Sequence, residues 1–238
     1  INIYIIMNIE KILSKSASKF RETVRSVTPL IILYTILSYI FTPSILRDLQ
    51  IEQNLDNIMS EMKNHDIFFS LLLVLTFSFY TIFINQFIIT NIKKQIFKIS
   101  DSISALTYML VMFILLFLMF LFLVIIIPIP DLVILFILIL YVYTFFGFYI
   151  KIDTQKSNLE CLLNSYILCL KNLKNIFKLI LFHILAIIII TYSMVILGLF
   201  TSQIAGSYSI ILINILFYIA SYFLSIVWIY AYFDFKQK

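Results

Sequence analysis

The chain has 238 residues, of which 63% are hydrophobic and only 12% are charged, and its formal net charge is +5. Soluble domains are about half apolar and about one quarter charged, so this chain has too few polar side chains to cover a water-facing surface. The composition therefore excludes a soluble globular protein, and we expect lipid to surround much of the chain. Because the basic residues are scattered around apolar segments and no nucleic-acid motif occurs, we interpret the positive charge as topology information and expect no nucleic-acid partner.

The N-terminal segment is basic and amphipathic. We interpret Met7 as the true start and residues 1–6 as an upstream extension, and we expect no cleavable signal peptide, since no small-residue cleavage site follows the first apolar segment. Residues 9–25 separate two sets on opposite helical faces: Ile9, Leu13, Phe20 and Val24 against Lys11, Lys15 and Lys19. The pattern predicts a surface helix lying in the headgroup layer, or else the simple flank of a span.

Long uncharged stretches define the membrane segments, because a helix needs about 20 apolar residues to cross the hydrocarbon layer. The last stretch is long enough for two helices, with a polar patch between them around Gln203. The sequence predicts an all-α, polytopic transmembrane helical bundle in a single integral membrane domain. Its six predicted spans cover residues 27–43, 67–92, 103–127, 132–150, 179–200 and 209–233.

The segments between the spans also carry predictions. Pro128 and Pro130 are too close together for an uninterrupted helix, so they predict a tight hairpin between the third and fourth spans. Residues 42–66 carry acidic residues and apolar residues at helical spacing, which is typical of an amphipathic helix on the outer face, although a loop is equally compatible. Residues 157–178 repeat the basic amphipathic pattern, with Leu159, Leu163, Leu170 and Leu173 set against Lys171, Lys174 and Lys178.

Lysine and arginine positions fix the predicted orientation. With the N-terminus inside, every lysine and arginine except Arg47 and Lys63 lies on the inner side. The positive-inside rule therefore predicts cytoplasmic N- and C-termini, with basic amphipathic helices on the cytoplasmic face. We expect anionic phospholipid headgroups to contact the following lysines: Lys15, Lys19, Lys93, Lys94, Lys171 and Lys174.

Three stretches resemble a known family: FRETVRSVTPLIILYTILSYIFTPSILRDL, KISDSISAL and LLNSYILCLKNLKNIFKLIL. Their order and spacing, the Phe20-Arg21 pair before the first span and the Thr42-Pro43-Ser44 step after it are similar to the YciC-type family of enterobacterial inner-membrane proteins. The resemblance covers nearly the whole chain from about Met7. It implies a multi-pass inner-membrane protein and carries over no active-site residue.

Polar residues inside the predicted spans are few. The candidates for an intramembrane role are His183, Asn85, Gln86 and Asn214, for which interhelical hydrogen bonding is the common alternative. Cys161 and Cys169 have no metal-ligand spacing with either histidine, and no HExxH, GxSxG or P-loop pattern occurs. We therefore expect no enzyme activity and no cofactor.

The functional expectation is a non-enzymatic, multi-pass inner-membrane protein with an envelope, assembly or lipid-contacting role. The alternative is a small permease or channel subunit that acts as an oligomer. A membrane-protein partner or a homo-oligomer is compatible with either function.

Overall fold

The computed structural model describes residues 9–42, 64–127, 129–205 and 208–237, where the regular secondary structure is α-helical. The predicted outer segment at 42–66 lies almost wholly outside these residues. The helices in chain order are α1 (Ile9–Phe41), α2 (Asn64–Lys93), α3 (Ile99–Ile126), α4 (Pro130–Thr154), α5 (Asn158–Ala205) and α6 (Tyr208–Lys236). All six are long and apolar enough to cross a membrane, which confirms the prediction of an all-α, multi-pass membrane protein.

The hairpin between α3 and α4 forms where the two prolines predict a break. Helix α3 ends at Ile126, and the backbone of Ile127 turns extended while its N–H still donates to Leu123 O at 2.8 Å. Ile129 is also extended, and Pro130 begins α4. A proline fits the first helical position because its fixed φ suits the helix and its missing N–H has no intrahelical partner there. The two helices then pack against each other.

Neither basic segment is separated by a loop from the apolar segment that follows it. Residues 9–25 continue into the first apolar segment as one helix of 33 residues, even though Pro29 lies inside it. Helix α5 consists of two helices that meet at a kink at Asn172, where φ is −117° and ψ is 17°. The first of these carries most of the second basic segment, and the second is still long enough to cross a membrane. Since lysine is a good helix former, the charges that mark a span boundary in the sequence do not end the helix.

The predicted apolar face of the first part of α5 points outwards. Its four leucines are each about half accessible or more: Leu159, Leu163, Leu170 and Leu173. Small or weakly polar side chains on the opposite face are fully buried, among them Cys161, Ser165 and Cys169. The Ser165 hydroxyl donates to Tyr143 O in α4 at 2.6 Å. This inside-out pattern suits a helix whose outer surface is covered by lipid.

The chain divides into two compact units. The first contains the described residues up to Phe20, together with Ile82–Ile187 and the residues from Phe223 onwards. Its core is aromatic: Phe146 and Tyr232 are fully buried, and the Phe146 ring lies 5.9 Å from that of Trp228. Gly147 marks the crossing of α3, α4 and α5, because the Tyr108 side chain and Cys161 O occupy the space that a Cβ atom would need.

The second unit contains Arg21–Thr81 and Ile188–Tyr222. Three tyrosines form its centre. The rings of Tyr34 and Tyr80 stack at 4.1 Å, and Tyr218 meets Tyr34 edge-on at 4.8 Å. The hydroxyls of Thr23 and Tyr222 share a hydrogen bond of 2.6 Å, so the unit joins α1 to α6 through both aromatic and polar contacts.

Candidate functional site

A buried carboxylate lies where three helices end. Asp153 is in the last turn of α4 and its side chain is completely inaccessible. Its Oδ1 lies 2.8 Å from Lys93 Nζ, while Oδ2 accepts hydrogen bonds from the Tyr232 hydroxyl at 2.8 Å and from Lys236 Nζ at 2.5 Å. We call these four residues the Asp153 cluster. It ties the ends of α2, α4 and α6 together.

The two lysines of the cluster lie at the ends of helices. Lys93 is the last residue of α2 and Lys236 is the last residue of α6. The final carbonyls of a helix carry partial negative charge, so cations are favoured there. Lys93 Nζ accordingly also donates to Asp153 O, at 3.2 Å. The helix-terminal geometry and the carboxylate therefore both fix this ammonium group.

Two left-handed residues turn the chain at this end of the first unit. Lys94 follows α2 with φ 54°, and Gln155 follows α4 with φ 55°, its N–H donating to Lys151 O at 3.0 Å. Both are the left-handed positions that commonly close a helix. After the second turn, Ser157 and Glu160 cap α5 reciprocally, each side chain accepting the other residue's backbone N–H. The connections are thus short and well defined.

The Asp153 cluster has an excess positive charge, since two ammonium groups share one carboxylate. The side chains of Lys93 and Lys236 are 29% and 49% accessible, whereas that of Asp153 is not accessible at all. The connections that follow add exposed lysines at positions 94, 98 and 156. We call this region, the described residues 93–98, 153–157 and 232–237, the basic end. Its charged side chains are five lysines, at positions 93, 94, 98, 156 and 236, against the buried carboxylate of Asp153 and the half-buried Asp234.

Gln86, one of the predicted intramembrane residues, makes two side-chain hydrogen bonds. It is fully buried; its Nε2 donates to Lys98 O at 2.7 Å and its Oε1 accepts a hydrogen bond from the Ser102 hydroxyl. These contacts join α2 to the start of α3. Asn85 is buried beside it. The Gln86 amide is therefore committed to helix packing.

His183 also has a defined partner, although the sequence did not indicate which. Its Nδ1 accepts a hydrogen bond from Trp228 Nε1 at 3.1 Å, which joins α5 to α6. An indole N–H can only donate, so Nδ1 carries no proton in this pair. Asn214 is half-buried and belongs to the second unit, whereas the other three candidates belong to the first.

The predicted lipid-contacting lysines differ in their surroundings. Lys15, Lys94, Lys171 and Lys174 are exposed. Lys19 is partly covered, and its Nζ lies 3.5 Å from Asn91 O on α2. Of the six, Lys93 alone belongs to the Asp153 cluster.

Many hydroxyl groups within the helices are satisfied by their own helix. The Thr35 hydroxyl donates to Ile31 O, that of Thr76 to Leu72 O and that of Ser193 to Ile189 O, each at 2.7–2.8 Å. In each case the hydroxyl proton is used within the helix itself. Within the described ranges, no group of three or more histidine, cysteine or acidic residues could hold a metal ion.

Sequence reasoning missed Asp153. The residue lies in the basic segment Lys151-Ile-Asp-Thr-Gln-Lys156, directly after the predicted fourth span. The available signal was a lone acidic residue among lysines directly after an apolar span. Its partners, 60 and 83 residues away in the chain, carry no local mark in the sequence.

Comparisons with models of protein families, with curated proteins and with solved structures find no match. The assignment of function therefore depends on the chemistry of the Asp153 cluster and of the buried polar pairs.

Proposed function

We propose that this chain is a non-enzymatic, multi-pass protein of the bacterial inner membrane that contacts anionic phospholipid headgroups through its basic end, in an envelope-maintenance or assembly role. Both termini are cytoplasmic in this proposal, and the chain is a member of the YciC-type family. The observation that carries the proposal is the Asp153 cluster, in which two partly exposed ammonium groups share one buried carboxylate. A surface with excess positive charge attracts the anionic lipids of the cytoplasmic leaflet.

The distribution of polar groups supports a lipid-contacting role over solute transport. Gln86 is bonded to Lys98 and Ser102, and many hydroxyls are bonded to their own helix. A transporter uses polar side chains or broken helices at mid-depth to bind its solute. Here the charged groups lie mainly at helix ends and in the N-terminal parts of α1 and α5 instead.

A small permease or channel subunit is the second candidate, favoured by the His183–Trp228 pair. Polar groups inside a membrane are costly and often functional. A solute flux that depends on His183 in vesicles containing the purified chain would support this candidate.

The test of the main proposal compares lipids. The full chain is reconstituted in nanodiscs of phosphatidylcholine with and without phosphatidylglycerol, and thermal unfolding and retained lipid are measured. We expect anionic lipid to raise the unfolding temperature and to be enriched around the protein, and we expect both effects to weaken as salt is added, because screening shortens the reach of exposed charges. Equal stability and equal lipid retention in both discs would contradict the proposal.

A further inference from the structure

We propose that Lys93 and Lys236 form one binding site for a phosphate oxyanion, supplied by a phospholipid headgroup or by free phosphate, and that Asp153 positions both lysines for it. This inference rests on the proposed lipid-contacting function and narrows it to one site. General attraction between a basic surface and a membrane needs no fixed geometry. The Asp153 cluster, by contrast, holds two ammonium groups at defined places.

The positions of the ammonium groups fit a phosphate. Lys93 Nζ lies 2.8 Å from one oxygen of Asp153 and Lys236 Nζ lies 2.5 Å from the other. A phosphate group is slightly wider than a carboxylate, so one phosphate can contact both ammonium groups from the opposite side. That side is accessible, because the two lysine side chains are 29% and 49% exposed while Asp153 is buried beneath them.

The two ammonium groups have more N–H donors than their contacts with Asp153 use. Each carries three N–H bonds. Among the described residues, Lys93 directs two towards the carboxylate and carbonyl oxygens of Asp153, and Lys236 directs one towards the carboxylate. Three donors therefore remain for a ligand. Charge-assisted hydrogen bonds to phosphate are about twice as strong as neutral ones.

The surroundings favour an anion over a cation. Exposed lysines at positions 94, 98 and 156 lie in the connections directly after Lys93 and Asp153. The acidic residues that flank these connections or Lys236 are fewer than the lysines: Glu160 accepts from the Ser157 N–H, Asp101 accepts from the Ser100 hydroxyl, and Asp234 is half-buried on α6. The Tyr232 hydroxyl donates to Asp153, which spreads the negative charge of the carboxylate and leaves the lysines less neutralised.

The competing explanation is that the lysines only neutralise Asp153 and the helix ends. Substitution of Lys236 separates the two explanations, because the carboxylate retains Lys93 and Tyr232 when Lys236 is lost. Lys236→Gln removes one ammonium group, and Lys236→Arg keeps the positive charge. Arg25→Gln is the control, since it removes an exposed positive charge that lies outside the cluster and outside the six predicted lipid-contacting lysines.

The experiment measures binding to the full chain in uncharged detergent, by native mass spectrometry for lipids and by calorimetry for inorganic phosphate. We expect Lys236→Gln to weaken phosphatidylglycerol binding about tenfold, because charge-assisted hydrogen bonds are lost, while Arg25→Gln and Lys236→Arg stay within about twofold of the unmodified chain. Phosphatidylglycerol binding without phosphate binding identifies a lipid site. Phosphate binding with the same Lys236 dependence identifies a soluble ligand.

Equal weakening by Lys236→Gln and Arg25→Gln, for both probes, would overturn the site. The proposed function would survive that result if the unmodified chain still prefers anionic discs. If the chain shows no such preference but binds phosphate through Lys236, the site stands and the lipid-contacting function fails.

Discussion

Trp228 donates its indole N–H to Nδ1 of His183 across 3.1 Å, and the two rings meet edge-on with their centroids 5.8 Å apart. The same indole packs against Phe145 at 5.0 Å. This pair links α5 to α6 within the first unit. A hydrogen bond in such an apolar setting has no water to replace it when one partner is removed.

We expect a double-mutant cycle on this pair to give a coupling energy of about 1 kcal/mol, the usual size for interhelical hydrogen bonds in membranes. The cycle combines Trp228→Phe with His183→Leu and follows reversible unfolding of the purified protein in detergent. Trp228→Phe should cost less in the His183→Leu background, since the hydrogen bond is already absent there. A coupling energy near zero would show that the indole contributes only by packing.

Gly147→Ala should destabilise the crossing of α3, α4 and α5. An added Cβ atom would overlap the Tyr108 side chain and lie 3.2 Å from Cys161 O. Tyr108 cannot move without losing its hydrogen bond to Thr144 O, so we expect a loss of about 1–3 kcal/mol in the free energy of unfolding. Gly198→Ala is the control, because its Cβ would meet only the flexible end of Ile213, at 3.1 Å. Equal losses for the two variants would contradict the crowding argument.

Asp153→Asn should lower the free energy of unfolding by weakening the contacts of the basic end. The amide keeps the size of the side chain but leaves Lys93 and Lys236 without their shared counter-charge. We expect a loss of about 1–3 kcal/mol, below the value for a fully buried pair because both lysines are partly accessible. Asp131→Asn, an exposed position in the first turn of the same helix, should cost only a few tenths of a kcal/mol. The prediction fails if thermal unfolding does not distinguish the two variants.

Ser102→Ala should weaken the contact between α2 and α3. The change leaves Oε1 of Gln86 buried without its hydroxyl donor, which typically costs about 1–3 kcal/mol. Ser104→Ala changes a half-buried serine two residues further along the same helix and should cost less. Chemical unfolding of both variants checks the difference. In a Gln86→Leu background, Ser102→Ala should lower the free energy of unfolding much less, because the buried Oε1 acceptor of Gln86 is then absent.

Compartment-sensitive reporters test the proposed topology. Fusions after Lys94 and Gln155 should report a cytoplasmic position, and a fusion after Ile129, between α3 and α4, should report the outer side, as the positive-inside rule requires. A fusion after Lys236 should again be cytoplasmic. An outside signal at Lys236 would mean an odd number of crossings and would remove the basic end from the anionic leaflet.

The sequence predicts the helices well because their signal is local. Uncharged stretches and the Pro128–Pro130 pair are visible in any short window, and all six helices occur. The sequence does not show that the basic segments of α1 and α5 run into the apolar segments without a loop, because charge marks the edge of the hydrocarbon layer and says little about where a helix ends. The partners of Gln86 and His183 and the Asp153 cluster could not be predicted, since Lys93, Asp153 and Lys236 meet only after folding.

Chain order also determines when the Asp153 carboxylate acquires its partners during biosynthesis. Lys93 precedes Asp153 by 60 residues, so this ion pair can form as soon as α4 has emerged from the ribosome. Tyr232 and Lys236 follow Asp153 by 79 and 83 residues, on α6. Until α6 has been synthesised and inserted, the carboxylate has only one of its two cations. Docking of α6 therefore completes the neutralisation of the Asp153 carboxylate. The ion pair with Lys236 thus favours association of α6 with the helices that are already in the bilayer.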